Sequence, residues 1–320
     1  MSIFKIHHIT RYFYDFPVTE SANEIRLYPK NDELQKLKEQ NIEITGNPEI
    51  LTYDDFLGNK VGAFTVPGVH KEMVINSTIL VETKEVPKFV CSLSKEKCDE
   101  AIRKAKSDFR MYEFLLQEPF HYEEEANLVL NELNITQSHP VDAVKILNEY
   151  VYKNFKYNSE LTTVNTTTDE VWRLKGGVCQ DFANVLVLLL RLYGLPSRYV
   201  SGYICPNKSG LRGDGATHAW AEAWIPEYGW IGLDPTNNCT VNDKYVRLCT
   251  GRKFSDCTPV KGTYKGNSGQ SLEVIVSVGY EDGSVLEDVM RQAVPWQSVA
   301  PVEKSTYELD LLLQMQQQQQ

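Results

Sequence analysis

Residues 175–194, KGGVCQDFANVLVLLLRLYG, set one cysteine behind two glycines at the head of an almost wholly apolar run. From Gln180 to Tyr193 the run is apolar on nearly all sides, which predicts a central, buried helix. Gly194 and Pro196 end it. Burial alone requires neither Cys179 nor the Gly176-Gly177 pair. A helix whose first turn activates a sulfur uses both. The positive end of the helix dipole favours a thiolate. The glycines permit a tight turn and leave room for a substrate.

A thiol of ordinary pKa is mostly protonated at neutral pH and needs a base to attack a carbonyl. His218 opens the segment HAWAEAWIP, 39 residues after Cys179 (218 − 179). Asp234 ends GWIGLDPT, 16 residues further on (234 − 218). A turn at Glu227-Tyr228-Gly229 makes these two segments a hairpin. The start of one strand then lies beside the end of the other, and helix, strand and strand assemble Cys179, His218 and Asp234 by topology alone. Asp234 also reads as a turn residue before Pro235, and the two roles are compatible.

The stretches GGVCQDFA, LPSRYVSGY and HAWAEAWIPEYGWIGLDPTNN resemble the core of the transglutaminase-like superfamily, in particular its bacterial transglutaminase-like cysteine proteases. RYFYDFPV, EIRLYP and DDFLGN near the N-terminus, and CTGRKFSD and VKGTYKG downstream, resemble the same bacterial group. The resemblance thus covers nearly the whole chain. Its departures are Cys249-Thr250 before GRKF and a Gln-rich tail, and neither touches Cys179, His218 or Asp234. The resemblance implies an α+β, papain-like core with the cysteine on a buried central helix and the histidine and aspartate on an antiparallel sheet. It implies Cys179 as nucleophile through a thioester, His218 as base and then acid, and Asp234 as the group that orients the imidazole. The calcium-dependent animal transglutaminases carry acidic metal loops. None is matched here, so no cofactor and no metal are expected.

Three regions are expected. Residues 1–90 carry short β-branched and aromatic segments bounded by Gly, Pro, Asn or Asp, which predict an N-terminal β-rich domain as a sheet or sandwich. Leu57-Gly58-Asn59-Lys60 predicts a hairpin turn. Residues 91–300 hold a helical segment and the catalytic core. Pro140 at a helix start and the stripe Val144, Leu147 and Val151 mark one helix. Thr167 with Glu170 marks a capping box at another. Residues 301–320, ending QMQQQQQ, read as a disordered tail.

The formal net charge of −10 argues against nucleic acid and membrane surfaces as partners. A peptide or protein is the expected substrate, and nothing in the sequence speaks to the oligomeric state. The N-terminus lacks a signal-peptide pattern, and seven scattered cysteines do not suggest a disulfide framework. Together these point to the cytoplasm. Cys205, Cys239, Cys249 and Cys257 contain no CxxC pair that would suggest zinc.

The Cys179 backbone N–H is the natural first oxyanion donor, with Tyr157 or Trp172 as candidates for the second. Gln180 fills the helix's first turn. Asp181 caps that turn or meets substrate, with capping favoured. Tyr203 reaches the site or packs in the core. Asp214, in the Gly-bearing loop before His218, is a candidate substrate contact. The leading expectation is amide hydrolysis. The alternatives are glutamine transamidation, which the same three residues would serve, and a non-enzymatic protein-binding module.

Overall fold

The computed structural model describes residues 1–163, 165–205 and 217–281. The chain opens with β1 (Ser2–Ile25), β2 (Gln35–Ile44), β3 (Leu51–Asp54) and β4 (Lys60–Thr83). All pair antiparallel around the long β1–β4 ribbon. The second half of β4 shows why. Met73, Ile75, Ser77, Ile79, Val81 and Thr83 are buried in strict alternation with less buried neighbours, the period of a sheet with one covered face. The β3–β4 hairpin turns at Gly58, whose φ of 73° suits glycine.

Six helices follow in the middle of the chain: α1 (Lys95–Ala105), α2 (Phe109–Tyr112), α3 (Glu123–Glu132), α4 (Pro140–Asn154), α5 (Thr168–Leu174) and α6 (Cys179–Tyr193). Pro140 occupies the first turn of α4, and Thr167 and Glu170 form the reciprocal capping box of α5. Two short parallel strands, β5 (Lys156–Tyr157) and β6 (Gly176–Gly177), lead into α6. Ten of the fifteen residues of α6 are buried, so this helix is the centre of the core. It packs on β7 (Ser197–Ile204) and β8 (Thr217–Ile225) and against α4 and α5.

These two strands belong to a five-stranded antiparallel sheet with β9 (Gly229–Asp234), β10 (Cys239–Thr240) and β11 (Tyr245–Gly251), in the order β10-β9-β8-β7-β11. The chain then returns to the first sheet. β12 (Val260–Lys265) and β13 (Gln270–Tyr280) both pair with β1, the former along Glu20–Ile25 and the latter along Phe4–Tyr14. Residues 260–280, which the sequence reading groups with the catalytic part, therefore complete the β-rich unit. Local pattern marks them as strands but carries no signal for a partner some 260 residues away.

Side-chain amides join the two sheets. Gln35 donates Nε2 to Arg247 O at 2.9 Å and accepts from Arg247 N at 2.8 Å. Asn59 does the same with Thr250, at 2.8 Å in both directions. Two amides thus stand in for a missing strand along β11 and satisfy backbone groups that burial would otherwise orphan. His8 of β1 adds a buried bond, its Nδ1 lying 2.8 Å from the Tyr203 hydroxyl of β7.

Candidate active site

The double glycine is explained by Asp181. Its Oδ2 accepts from Val178 N at 2.8 Å and from Thr162 Oγ1 at 2.6 Å, so a fully buried carboxylate caps the helix that Cys179 begins. Gly177, at a φ of 156°, lies against that carboxylate, and any Cβ there would fall on it. Gly176 is likewise closed in by Lys156 O and Leu161. The pair clears space for the cap that fixes where α6 starts. Burial raises the Asp181 pKa above its ordinary value, and the Thr162 and Val178 hydrogen bonds offset only part of the rise.

Cys179 stands at the first helical position, half-buried. His218 lies near the start of β8. Continuing the register of Ala221 opposite Leu233 sets Asp234 beside Trp220, two residues from His218 and on the same face. His218 Nε2 meets Asp234 Oδ2 at 2.8 Å, with both side chains buried. The Cys179 thiol lies close enough to His218 to act on its charge. With Nε2 committed to Asp234, Nδ1 is the ring nitrogen left for the sulfur. Burial by itself would lower the His218 pKa. The charge and hydrogen bond of Asp234, joined by Cys179, outweigh it and push the imidazole up to about 10. For Asp234, burial acts upward, but His218 and the hydrogen bonds from Asn237 and Tyr245 hold the carboxyl below its ordinary value.

Asp234 is held on every side. Oδ1 accepts from Thr236 N at 2.8 Å and Asn237 N at 3.2 Å. Oδ2 accepts from Asn237 Nδ2 at 2.8 Å and from the Tyr245 hydroxyl at 2.7 Å. Its role as a turn residue and its bond to His218 coexist. Tyr245 and Asn237 were not singled out in the sequence. The NN after DPT is a local signal for Asn237, whereas Tyr245 arrives from β11 and has none.

The remaining candidates separate. Tyr157 pairs in register with Gly177, is 38% exposed, and lies edge-on to Phe182 beside the Cys179 turn. Gln180 is half-buried in the first turn of α6. Trp172 is fully buried against Phe120 and Phe155, with Lys175 Nζ 3.4 Å from the ring centroid. Tyr203 is fully buried with its hydroxyl on His8. These two are core residues rather than groups that a substrate would meet. An indole and a phenol so large bury more apolar area in the interior than a cleft wall would take. Asp214 lies outside the described residues.

Residues 129–235 match the transglutaminase-like superfamily, and residues 4–82 match the bacterial transglutaminase-like N-terminal region. An uncharacterized protein of Mycobacterium leprae is 30% identical over 278 residues, covering 86% of this chain and 97% of its own. The chain belongs to the transglutaminase-like superfamily. Within that superfamily it is similar to a protein-glutamine gamma-glutamyltransferase of Pseudomonas aeruginosa, 30% identical over 145 residues. That match spans 43% of this chain and 22% of the relative. Its fold is shared with a solved structure from Cytophaga hutchinsonii named a "Putative Cysteine Protease". The TM-score is 0.70 at 21% identity, over 88% of this chain and 91% of the other. The transglutaminase-like fold suggests a cysteine-type enzyme, and Cys179, His218 and Asp234 come together where its strands and central helix meet.

Proposed function

We propose that the protein is a thiol-dependent acyl-transfer enzyme that cleaves amide bonds in peptides or proteins, with water as the usual acceptor. One observation carries this reading. His218 is tied to Asp234 through Nε2, which leaves Nδ1 for the nearby Cys179 thiol. An imidazole so placed can take the proton of a thiol at a helix N-terminus, the step that an attacking sulfur needs.

The thiolate of Cys179 adds to the amide carbonyl carbon and its π electrons move to oxygen. The Cys179 backbone N–H, in a first turn where no helical carbonyl takes it, faces the developing oxyanion. Tyr157 is the second candidate donor. His218 then gives its Nδ1 proton to the amine as the C–N bond breaks, which leaves a thioester. Water adds to the thioester while His218 takes its proton, and collapse expels the sulfur and frees the acid. Asp234 keeps the ring in position and balances its charge throughout, without taking the proton.

An amine in place of water would give transamidation by the same steps. The likeness to a gamma-glutamyltransferase supports keeping that second reading. Among the described residues no disulfide joins the cysteines and no helix is long and apolar enough to cross a membrane. The test is a peptide library offered with and without a labelled amine, with products read by mass spectrometry. Cleaved peptides or glutamine converted to glutamate establish hydrolysis, and labelled glutamine establishes transfer. Neither product, from protein whose Cys179 alkylates normally, overturns the reading.

A further inference from the structure

Far from Cys179, four side chains from four separate segments converge. Cys91 lies in the linker after β4, Cys98 on α1, His139 at the N-cap of α4, and Glu227 in the β8–β9 turn. Cys91 Sγ is 3.3 Å from Cys98 Sγ, and Cys98 Sγ is 3.6 Å from His139 Nε2. The ligand atoms of these three residues all lie within 4.8 Å of one another. Glu227 Oε2 is 4.0 Å from Cys91 Sγ. Tetrahedral zinc, with Zn–S of about 2.3 Å and Zn–N of about 2.0–2.1 Å, spaces sulfur from sulfur by roughly 3.8 Å and sulfur from nitrogen by roughly 3.5 Å. To hold zinc, the two sulfurs must part by a few tenths of an ångström, and Glu227, which lies near Cys91 but outside the group of three, must swing its carboxylate inward.

We propose that Cys91, Cys98, His139 and Glu227 form a structural zinc site that pins the linker and α1 to the closed end of the β8–β9 hairpin. A C-x₆-C spacing with a histidine 41 residues after Cys98 (139 − 98) is not a CxxC signature, and the sequence search for close pairs passes over it. Two thiolates, an imidazole and a carboxylate are all zinc ligands, and the Cys2His part is shared with structural sites. Binding releases one proton from each thiol. It also moves the imidazole proton. Nδ1 now accepts from Val141 N at 3.2 Å while Nε2 lies 3.1 Å from Leu93 O, so Nε2 carries the hydrogen. A metal on Nε2 shifts that hydrogen to Nδ1 and costs the α4 cap, a small loss beside two zinc–thiolate bonds.

Glu227 is held for the task. It adopts a φ of 65°, rare for a residue with a side chain, and its Oε2 accepts from Ser92 N at 3.1 Å and Ser92 Oγ at 2.9 Å. That arrangement joins the hairpin turn to the residue after Cys91. A disulfide between Cys91 and Cys98 would account for two of the four groups and give the histidine and the glutamate no part.

The test is cobalt and zinc loading of the full-length, metal-free, reduced chain. One equivalent of Co²⁺ is expected to give a thiolate-to-cobalt charge-transfer band and tetrahedral d–d bands, and one equivalent of Zn²⁺ to erase them. Cys98→Ser should abolish the bands. Cys91→Ser, at a half-buried position, gives the same answer if the Cys98 variant does not fold. His139→Gln and Glu227→Gln should weaken Co²⁺ binding at least tenfold. Cys179→Ser and Cys239→Ser should leave it unchanged. Bands that survive Cys91→Ser or vanish with Cys179→Ser overturn the proposal. So does reduced protein that gives no charge-transfer band. Protein isolated from the cytoplasm with five titratable thiols and a Cys91–Cys98 cross-linked peptide would show a disulfide in its place.

Discussion

The Tyr245 hydroxyl donates to Asp234 Oδ2 at 2.7 Å, the same oxygen that lies 2.8 Å from His218 Nε2. β11 thereby reaches across the sheet to brace the carboxylate that braces the imidazole. Tyr245→Phe removes one charge-assisted hydrogen bond, worth about 1.5 kcal/mol or more. It is expected to lower kcat about tenfold with KM unchanged, because Tyr245 is buried and meets no substrate. The measurement is steady-state kinetics on a peptide that the enzyme accepts. A changed KM with an unchanged kcat would remove Tyr245 from the relay.

Asp234→Asn keeps the shape and one carbonyl oxygen for Thr236 N and Asn237 N, but it loses the charge beside His218. Turnover is expected to fall by about 10² to 10⁴, the upper figure being the loss for such a change in a serine site. Thermal stability should move far less. Unchanged turnover would exclude Asp234 from the chemistry.

Limiting iodoacetamide should alkylate Cys179 first. Cys98, Cys205, Cys249 and Cys257 are buried, and Cys98, although near an imidazole, is shut away. His218→Ala should slow labelling of Cys179 by tenfold or more at neutral pH, since the sulfur loses the base beside it. Peptide mapping that finds Cys91 or Cys239 labelled ahead of Cys179 in the unaltered protein would contradict this.

Asp181→Ala should cost about 1–2 kcal/mol of stability, the value of a lost N-cap, because Val178 N then loses its acceptor at the head of the central helix. Urea unfolding measures it. The alkylation rate of Cys179 should fall as well, since the first turn of α6 is what sets its sulfur against His218.

Glu222 is buried between Arg198, at 2.6 Å, and Arg247, at 2.9 Å. Burial works against its charge, but the two guanidinium groups hold its pKa down to about 2. A folded value below the unfolded one means that the pair's stabilising effect is complete above the ordinary carboxylate range and is lost as pH falls towards 2. Glu222→Gln is therefore expected to destabilise by about 3 kcal/mol at pH 7, the cost of breaking a buried pair. The gap to the unaltered chain should narrow steadily as pH falls from the ordinary carboxylate range towards 2. Unfolding curves at pH 7 and pH 3 check both the size and the direction.

The sequence by itself determined the pieces whose signals are local. The apolar run after Cys179 specifies a buried helix because no face of it suits water. Thr167 with Glu170, Pro140 and Gly58 mark ends and turns by backbone chemistry alone. The His218 and Asp234 hairpin follows from two strands and a short turn, so the site's three central residues were legible. Tertiary structure decided what depends on distant partners. β12 and β13 join β1 because their backbone groups need a strand, and any of several could have served. Tyr203 turns to His8 and Tyr245 to Asp234, where each ring is buried and its hydroxyl satisfied, whereas Trp172 goes to the core for its apolar area although its Nε1 finds no hydrogen-bond partner among the described residues. Cys91, Cys98, His139 and Glu227 meet only once the linker, two helices and the hairpin turn have packed, and no spacing along the chain could have announced it.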